Sequence, residues 1–145
     1  VIVYESVWKH TQMMAEALAE GMGRNGICVK IFKCSMTSPA IIQKELLDAK
    51  AVLVGSGNYN NAMAGSIAAF LEKLITCKVK NKKGLGFGSY GWANLVTKEI
   101  NARLEKAGIT LLNDEVVSQN YTPSEADLDA LMELGKQIAE EIKAM

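Results

Sequence analysis

A chain of 145 residues is the size of one domain and can bury its own core without disulfides or a structural metal. Lys plus Arg and Asp plus Glu both number 16, so no net field draws the chain to nucleic acid or an anionic membrane, and long basic clusters are missing. No apolar stretch approaches the ~20 residues of a membrane span, and no basic start leads into an apolar signal core.

Residues 1–4 are a β-branched and apolar run, and residues 11–22 place Met14, Ala15, Leu18, Ala19 and Met22 at helical spacing, so a strand followed by a helix is predicted. After a turn at Gly26, Ile27, Val29 and Ile31 share one face of a second strand; Cys28, Lys30 and Phe32 share the other, which Lys30 marks as the more exposed. Ser38 and Pro39 suit a helix cap and first helical position, with Ile41, Ile42, Leu46 and Leu47 as the buried stripe. The unbroken apolar run 51–54 has the character of a central parallel strand covered on both faces. Residues 67–75 are predicted helical, 84–88 form a strand, and 95–107 form an amphipathic helix stopped by Gly108. Residues 109–117 supply a fifth strand. Thr122, Pro123 and Glu125 have capping-box spacing, and Leu128, Leu131, Leu134, Ile138 and Ile142 stripe the last helix. Strand and helix alternate five times, which implies right-handed crossovers and one parallel sheet with helices on both faces, an α/β domain.

Cys28, Cys34 and Cys77 match neither a disulfide framework nor a zinc site; they read as packing residues in a reducing cytoplasm. The basic run 78–83 reads first as a solvated connection and second as a weak docking patch for an acidic partner. The start without Met, directly in an apolar run, suggests a domain excised from a longer chain or a processed start.

Ligands of open α/β sheets sit beyond the carboxyl ends of the strands. Three loops leave those ends. Residues 6–11, SVWKHT, run into the first helix, so backbone amides, the helix dipole and the hydroxyls of Ser6 and Thr11 suit a phosphate monoester; the loop lacks the motifs of a P-loop or of a dinucleotide site. Thr11 is equally an ordinary helix cap. Residues 57–61 offer exposed amides and Tyr59, although Gly and Asn are also default turn residues. Residues 89–92 carry Tyr90 and Trp92. With Trp8, Tyr59, Tyr90 and Trp92 all predicted at one sheet edge in an aromatic-poor chain, a planar ligand is favoured.

The segments VIVYESVWKHTQMMAEALAEG, AVLVGSGNYNN and GLGFGSYGW resemble the flavodoxin-like domain of the flavodiiron proteins, also called A-type flavoproteins, across nearly the whole chain. The resemblance implies a flavodoxin-like three-layer α/β/α sandwich with a five-stranded parallel sheet in order 2-1-3-4-5, in one domain over residues 1–145, holding FMN non-covalently. By the same resemblance Ser6, Val7, Trp8, His10 and Thr11 surround the FMN phosphate. Asn58, Tyr59, Asn60 and Asn61 border the isoalloxazine, and Ser89, Tyr90, Gly91 and Trp92 close its other side. Lys9 stands where many relatives carry glycine, His10 where they carry a small polar residue, and Gly57–Asn58 where Pro-Thr is usual. His10 is the only histidine, too few for a di-iron site. The implied role is therefore an electron relay, from rubredoxin or a flavin reductase to a di-iron oxygen or nitric oxide reductase centre on a separate, preceding domain, within a full-length homo-oligomer.

Rival readings are a stand-alone flavodoxin or an FMN-dependent quinone or nitroreductase, and a flavodoxin fold kept only for oligomer contacts. A phospho-receiver domain is disfavoured: Gly55 and Ser56 follow the third strand, where an aspartate is needed, and Ser118 and Gln119 follow the fifth, where a lysine is needed.

Overall fold

Amphipathic helices carry the chain back to the same end of the sheet between strands, so the pairings among the named strands are parallel. In the computed structural model, which describes residues 1–91, 94–113 and 115–145, the strands are β1 (Ile2–Glu5), β2 (Ile31–Lys33), β3 (Ala51–Ser56), β4 (Lys83–Tyr90), β5 (Thr110–Leu111) and β6 (Val117–Asn120). Their order is β2-β1-β3-β4-β5, with β6 also on β4. The helices are α1 (His10–Arg24), α2 (Pro39–Asp48), α3 (Gly65–Cys77), α4 (Val96–Lys106) and α5 (Glu125–Lys143). Alternating strand residues point to opposite faces. Ile2, Leu53, Leu85 and Phe87 join Met14, Leu18, Leu131 and Ile138 of α1 and α5 in one core. Val3, Val52 and Val54 join Ile42, Leu46, Ile67, Leu71, Ile100 and Leu104 of α2, α3 and α4 in the other. This is the expected three-layer α/β/α sandwich.

On the first face α1 and α5 touch backbone to backbone. A Cβ on Gly21 would lie 2.1 Å from the Met132 carbonyl oxygen, and one on Gly135 would lie 2.5 Å from that of Leu18. Only glycine permits this approach.

Four details differ from the sequence reading. The fifth strand is two pieces: between the registers Gly84↔Leu111 and Phe87↔Val117 the edge spends six residue steps against three on β4. Asn113 and Glu115, between the two pieces, have no apolar side chain to place on either face and lie outside the strands. The last helix is capped by Ser124, whose Oγ accepts from the Asp127 amide while the Asp127 carboxylate accepts from Ser124 N–H; Thr122 and Glu125 do not form the box. On α2, Ile42 and Leu46 are buried but Ile41 and Leu47 are 51% and 79% exposed, and on β2 Phe32 is half-buried while Ile31 is exposed. Finally, Cys28 and Cys77 are exposed and only Cys34 is half-buried, so packing does not explain all three thiols. Among the described residues no helix is long and apolar enough to cross a membrane.

The break in the edge strand leaves a backbone donor to satisfy. The Gly84 carbonyl accepts from Leu112 N–H at 2.8 Å, so the polar groups of Gly84, and by the two-residue alternation those of Gly86, face the edge. Opposite Gly86 the ladder is interrupted, and the Gly86 N–H instead donates to the buried Asn101 Oδ1 at 2.8 Å. Replacing Asn101 with Leu strands a buried amide. Urea denaturation of Asn101→Leu is expected to show a loss of about 1–3 kcal/mol at unchanged m-value.

Candidate flavin site

Four loops leave the carboxyl ends of the strands, and they converge on one cleft of about 240 Å³. Ser6, Val7, Trp8, His10 and Thr11 line it from the loop after β1 and the start of α1, Gly57, Asn58 and Tyr59 from the loop after β3, and Ser89, Tyr90 and Gly91 from the end of β4. Tyr121, just past β6, is the fourth contributor.

The phosphate-type loop is built on an unusual backbone. Lys9 caps α1 in the left-handed conformation, φ 65°, with no side-chain capping bond. The first bond into the helix runs from Met13 N–H to the Lys9 carbonyl, 2.9 Å, so the earlier amides of this 15-residue helix remain available at the end where its dipole is positive. Thr11 is therefore not the cap. Its buried Oγ1 lies 3.2 Å from Ser89 Oγ, which ties the start of α1 to the end of β4. His10 Nε2 lies 3.0 Å from Thr122 Oγ1 and links the same helix start to the loop after β6.

The second loop is braced on both sides. Val7 N–H donates to the Tyr59 hydroxyl at 3.1 Å, and Asn58 N–H donates to the Ser89 carbonyl at 3.2 Å. Burial pushes the Tyr59 phenol up, against the lowering effect of the Val7 amide. Buried Ser56 accepts from Ala64 N–H at 2.9 Å and donates to the Gly57 carbonyl at 2.8 Å, closing the loop at its base. Reciprocal backbone bonds of 2.8 and 3.0 Å join Tyr59 and Ala62 across Asn60 and Asn61, whose φ values are 54° and 62°. Two positive φ values at the corners of a two-residue turn are the type I′ pattern that asparagine tolerates. Asn60 and Asn61 are thus corner residues and do not line the cleft, whereas the other members of that predicted group do. Trp92 lies outside the described residues.

Sequence reasoning missed Tyr121. The strand was ended at Val117, but it continues to Asn120, so the loop leaving its end begins at Tyr121. Tyr121 N–H donates to the Tyr90 carbonyl at 2.8 Å, and the residue is 57% exposed at φ 57°. The signal available was an aromatic residue four positions past Val117, at the end of a polar stretch.

Below the cleft sits Glu5, only 9% exposed. Its Oε2 accepts from Ser35 N–H at 2.9 Å and from Ser66 Oγ–H at 2.9 Å, its Oε1 accepts from Ser6 N–H at 3.3 Å, and Lys33 Nζ lies 4.0 Å from Oε1. Burial alone raises the pKa of this carboxyl, but the bonds from Ser35 and Ser66 outweigh it and hold the group below the usual carboxylate range. One carboxylate thereby fixes the first loop, the short 3₁₀ turn Cys34–Met36 and the start of α3.

A parallel α/β/α sandwich with a hydroxyl- and amide-rich loop at its first helix and aromatic loops beyond β3 and β4 defines a flavodoxin-type flavin domain. The sequence profile described as Flavodoxin matches residues 2–135, and the chain belongs to that family, whose cofactor is FMN. A nitric oxide reductase of Moorella thermoacetica is 39% identical over 142 residues, covering 98% of this chain and 36% of that protein. The solved rubredoxin oxygen:oxidoreductase of Desulfovibrio gigas superposes with a TM-score of 0.92 at 33% identity, over 99% of this chain and 35% of that one. An archaeal flavodoxin superposes with a TM-score of 0.88 at 29% identity and is matched over 96% of its own length. The chain therefore spans about a third of its flavodiiron-type relatives and the whole of a flavodoxin.

Two outcomes follow from the loop backbone and from Glu5. Lys9→Gly removes a left-handed penalty of ~1–2 kcal/mol at a glycine entropy cost of ~0.5–1, so thermal unfolding should shift up, by about 0.5–1 kcal/mol net. For Glu5, the unfolded chain (pKa ~4.3) binds its proton before the folded chain does, so the stabilisation is present above that value and lost as pH falls through the depressed folded value. Unfolding titrations should find the wild type more stable than Glu5→Gln at pH 7, with the gap closing toward pH 3.

Proposed function

We propose that this domain holds one FMN in the cleft at the carboxyl edge of the sheet and relays electrons through it. The observation that carries the reading is the convergence of the uncapped start of α1, three hydroxyls (Ser6, Thr11 and Ser89) and the aromatic side chains of Trp8, Tyr59 and Tyr90 on one cleft.

In this reading the amides at the start of α1, with Ser6 and Thr11, hold the phosphate dianion, and His10 stands beside it. Asn58 and Tyr59 border the ring from one side; Ser89, Tyr90, Gly91 and Trp92 from the other; and Tyr121 joins them at the rim. Asn60 and Asn61 shape the turn that presents Tyr59. When bound, FMN supplies reversible one- and two-electron chemistry, and the protein sets its environment. In this reading the cofactor keeps an edge at the surface, since the cleft opens at the rim between Trp8, Tyr90 and Tyr121. An exposed edge suits electron exchange with a protein partner.

The finer role is a relay from rubredoxin or a flavin reductase to a di-iron oxygen or nitric oxide reductase centre on another domain. The names of the relatives and their greater length support it, and the single histidine of this chain requires that centre to be elsewhere. A homo-oligomer that brings one subunit's flavin domain to another's metal domain, working in a reducing cytoplasm, completes the proposal; three free thiols favour that compartment. A stand-alone flavodoxin is the second reading, favoured by the end-to-end match to the archaeal protein.

The test is a titration of the apo-protein with FMN and, in parallel, riboflavin, followed by quenching of flavin fluorescence. FMN is expected to bind at least tenfold more tightly than riboflavin, and Thr11→Val is expected to erase about a factor of ten for FMN alone, the weight of one charge-assisted hydrogen bond. Trp92→Ala with unchanged FMN affinity removes Trp92 from the site; no binding of either flavin removes the reading altogether.

A further inference from the structure

The two faces of the sheet are covered differently. While α1 and α5 touch through glycines, α2 and α3 leave between them a groove of about 650 Å³. Its floor is Ile42, Leu46, Phe70 and Leu74, none more than 7% exposed, and Leu47, 79% exposed, stands on its rim. Along α3 it runs from Ser66 to Cys77, a rise of about 16 Å of helix. That length matches an extended aliphatic chain rather than a compact aromatic ring system.

Charge gives the groove a direction. Lys73, Lys80 and Lys82 line it and no Asp or Glu does. Lys82 is already committed to the carbonyl oxygens of Ala49 and Leu47, at 2.6 and 3.5 Å. Exposed Lys73 and Lys80 have no ion-pair or hydrogen-bond partner among the described residues. The nearest acids of α2 are turned elsewhere: Glu45 pairs with Lys30, and Asp48 lines the opposite side of the helix. An apolar slot of ligand size, with two uncompensated cations toward the carboxyl end of α3, fits one kind of occupant.

We propose that the groove between α2 and α3 binds a medium-chain aliphatic carboxylate, its chain along Ile42, Leu46, Phe70 and Leu74 and its head group between Lys73 and Lys80. The site is separate from the flavin cleft and does not depend on the flavin reading. It also gives the basic run at 78–83 a task beyond linking α3 to β4.

The test is calorimetric titration with octanoate, octan-1-ol and octyltrimethylammonium, on the protein with and without added FMN. Octanoate is expected to bind one saturable site, at least tenfold more tightly than the cationic amphiphile, whatever the flavin content. Ala69→Leu puts bulk into the groove from an exposed position of α3 and should weaken octanoate at least tenfold, with the thermal midpoint unchanged. Lys73→Gln with Lys80→Gln should weaken octanoate at least fivefold and leave octan-1-ol alone. Absence of saturable binding overturns the proposal, as do equal affinities for anion and cation, or indifference to Ala69→Leu.

Discussion

Everything at the functional end of this domain hangs on the ladder made by β4. It pairs with β3 along one side and with β5 and β6 along the other, and its last residues, Ser89 and Tyr90, reach the cleft. Thr11 Oγ1, Asn58 N–H and Tyr121 N–H all find their partners on those two residues. Three loops from distant parts of the chain therefore take their positions from one strand end. A parallel ladder is what makes this possible, because it carries every strand's carboxyl end, and hence every ligand-facing loop, to the same edge.

The break in the edge strand shows how the ladder tolerates a flaw. With the break opposite Gly86, the backbone donor there faces a gap, and an Asn on α4 fills it. The substitution of a side-chain acceptor for a strand lets the edge resume at Val117 in register and run on to Asn120, which delivers Tyr121 to the rim. A continuous strand over 109–117 would have ended short of the cleft.

That strand also marks where the sequence was hard to read. Period-two and helical patterns revealed the α/β rhythm and most of the buried stripes, since burial on two faces leaves a strong imprint on residue choice. Choices between equivalent local options left none. Thr122-x-x-Glu125 and Ser124-x-x-Asp127 are overlapping capping frames, and the chain uses the second, with Thr122 beside His10 instead. That Asn60 and Asn61 occupy the corners of a tight turn is visible only in their backbone angles. The left-handed cap at Lys9 is invisible in the residue type, since lysine at a φ of 65° takes a conformation that favours glycine. On α2 the expected stripe overshot, because Ile41 and Leu47 stand exposed while Ile42 and Leu46 alone are buried.

The asymmetry between the two helical layers bears on how such a domain carries electrons. Glu5 joins the first loop to Ser35 and Ser66, so the base of the cleft is fastened to the layer that contains α3, while Thr11 fastens it through α1 to the glycine-tight α1–α5 layer. A cofactor that cycles between redox states is served by walls that do not reorganise, because movement of polar groups during electron transfer adds to its barrier. Toward α3, a buried carboxylate with three protein hydrogen bonds holds the base of the cleft, on the same face as the groove between α2 and α3.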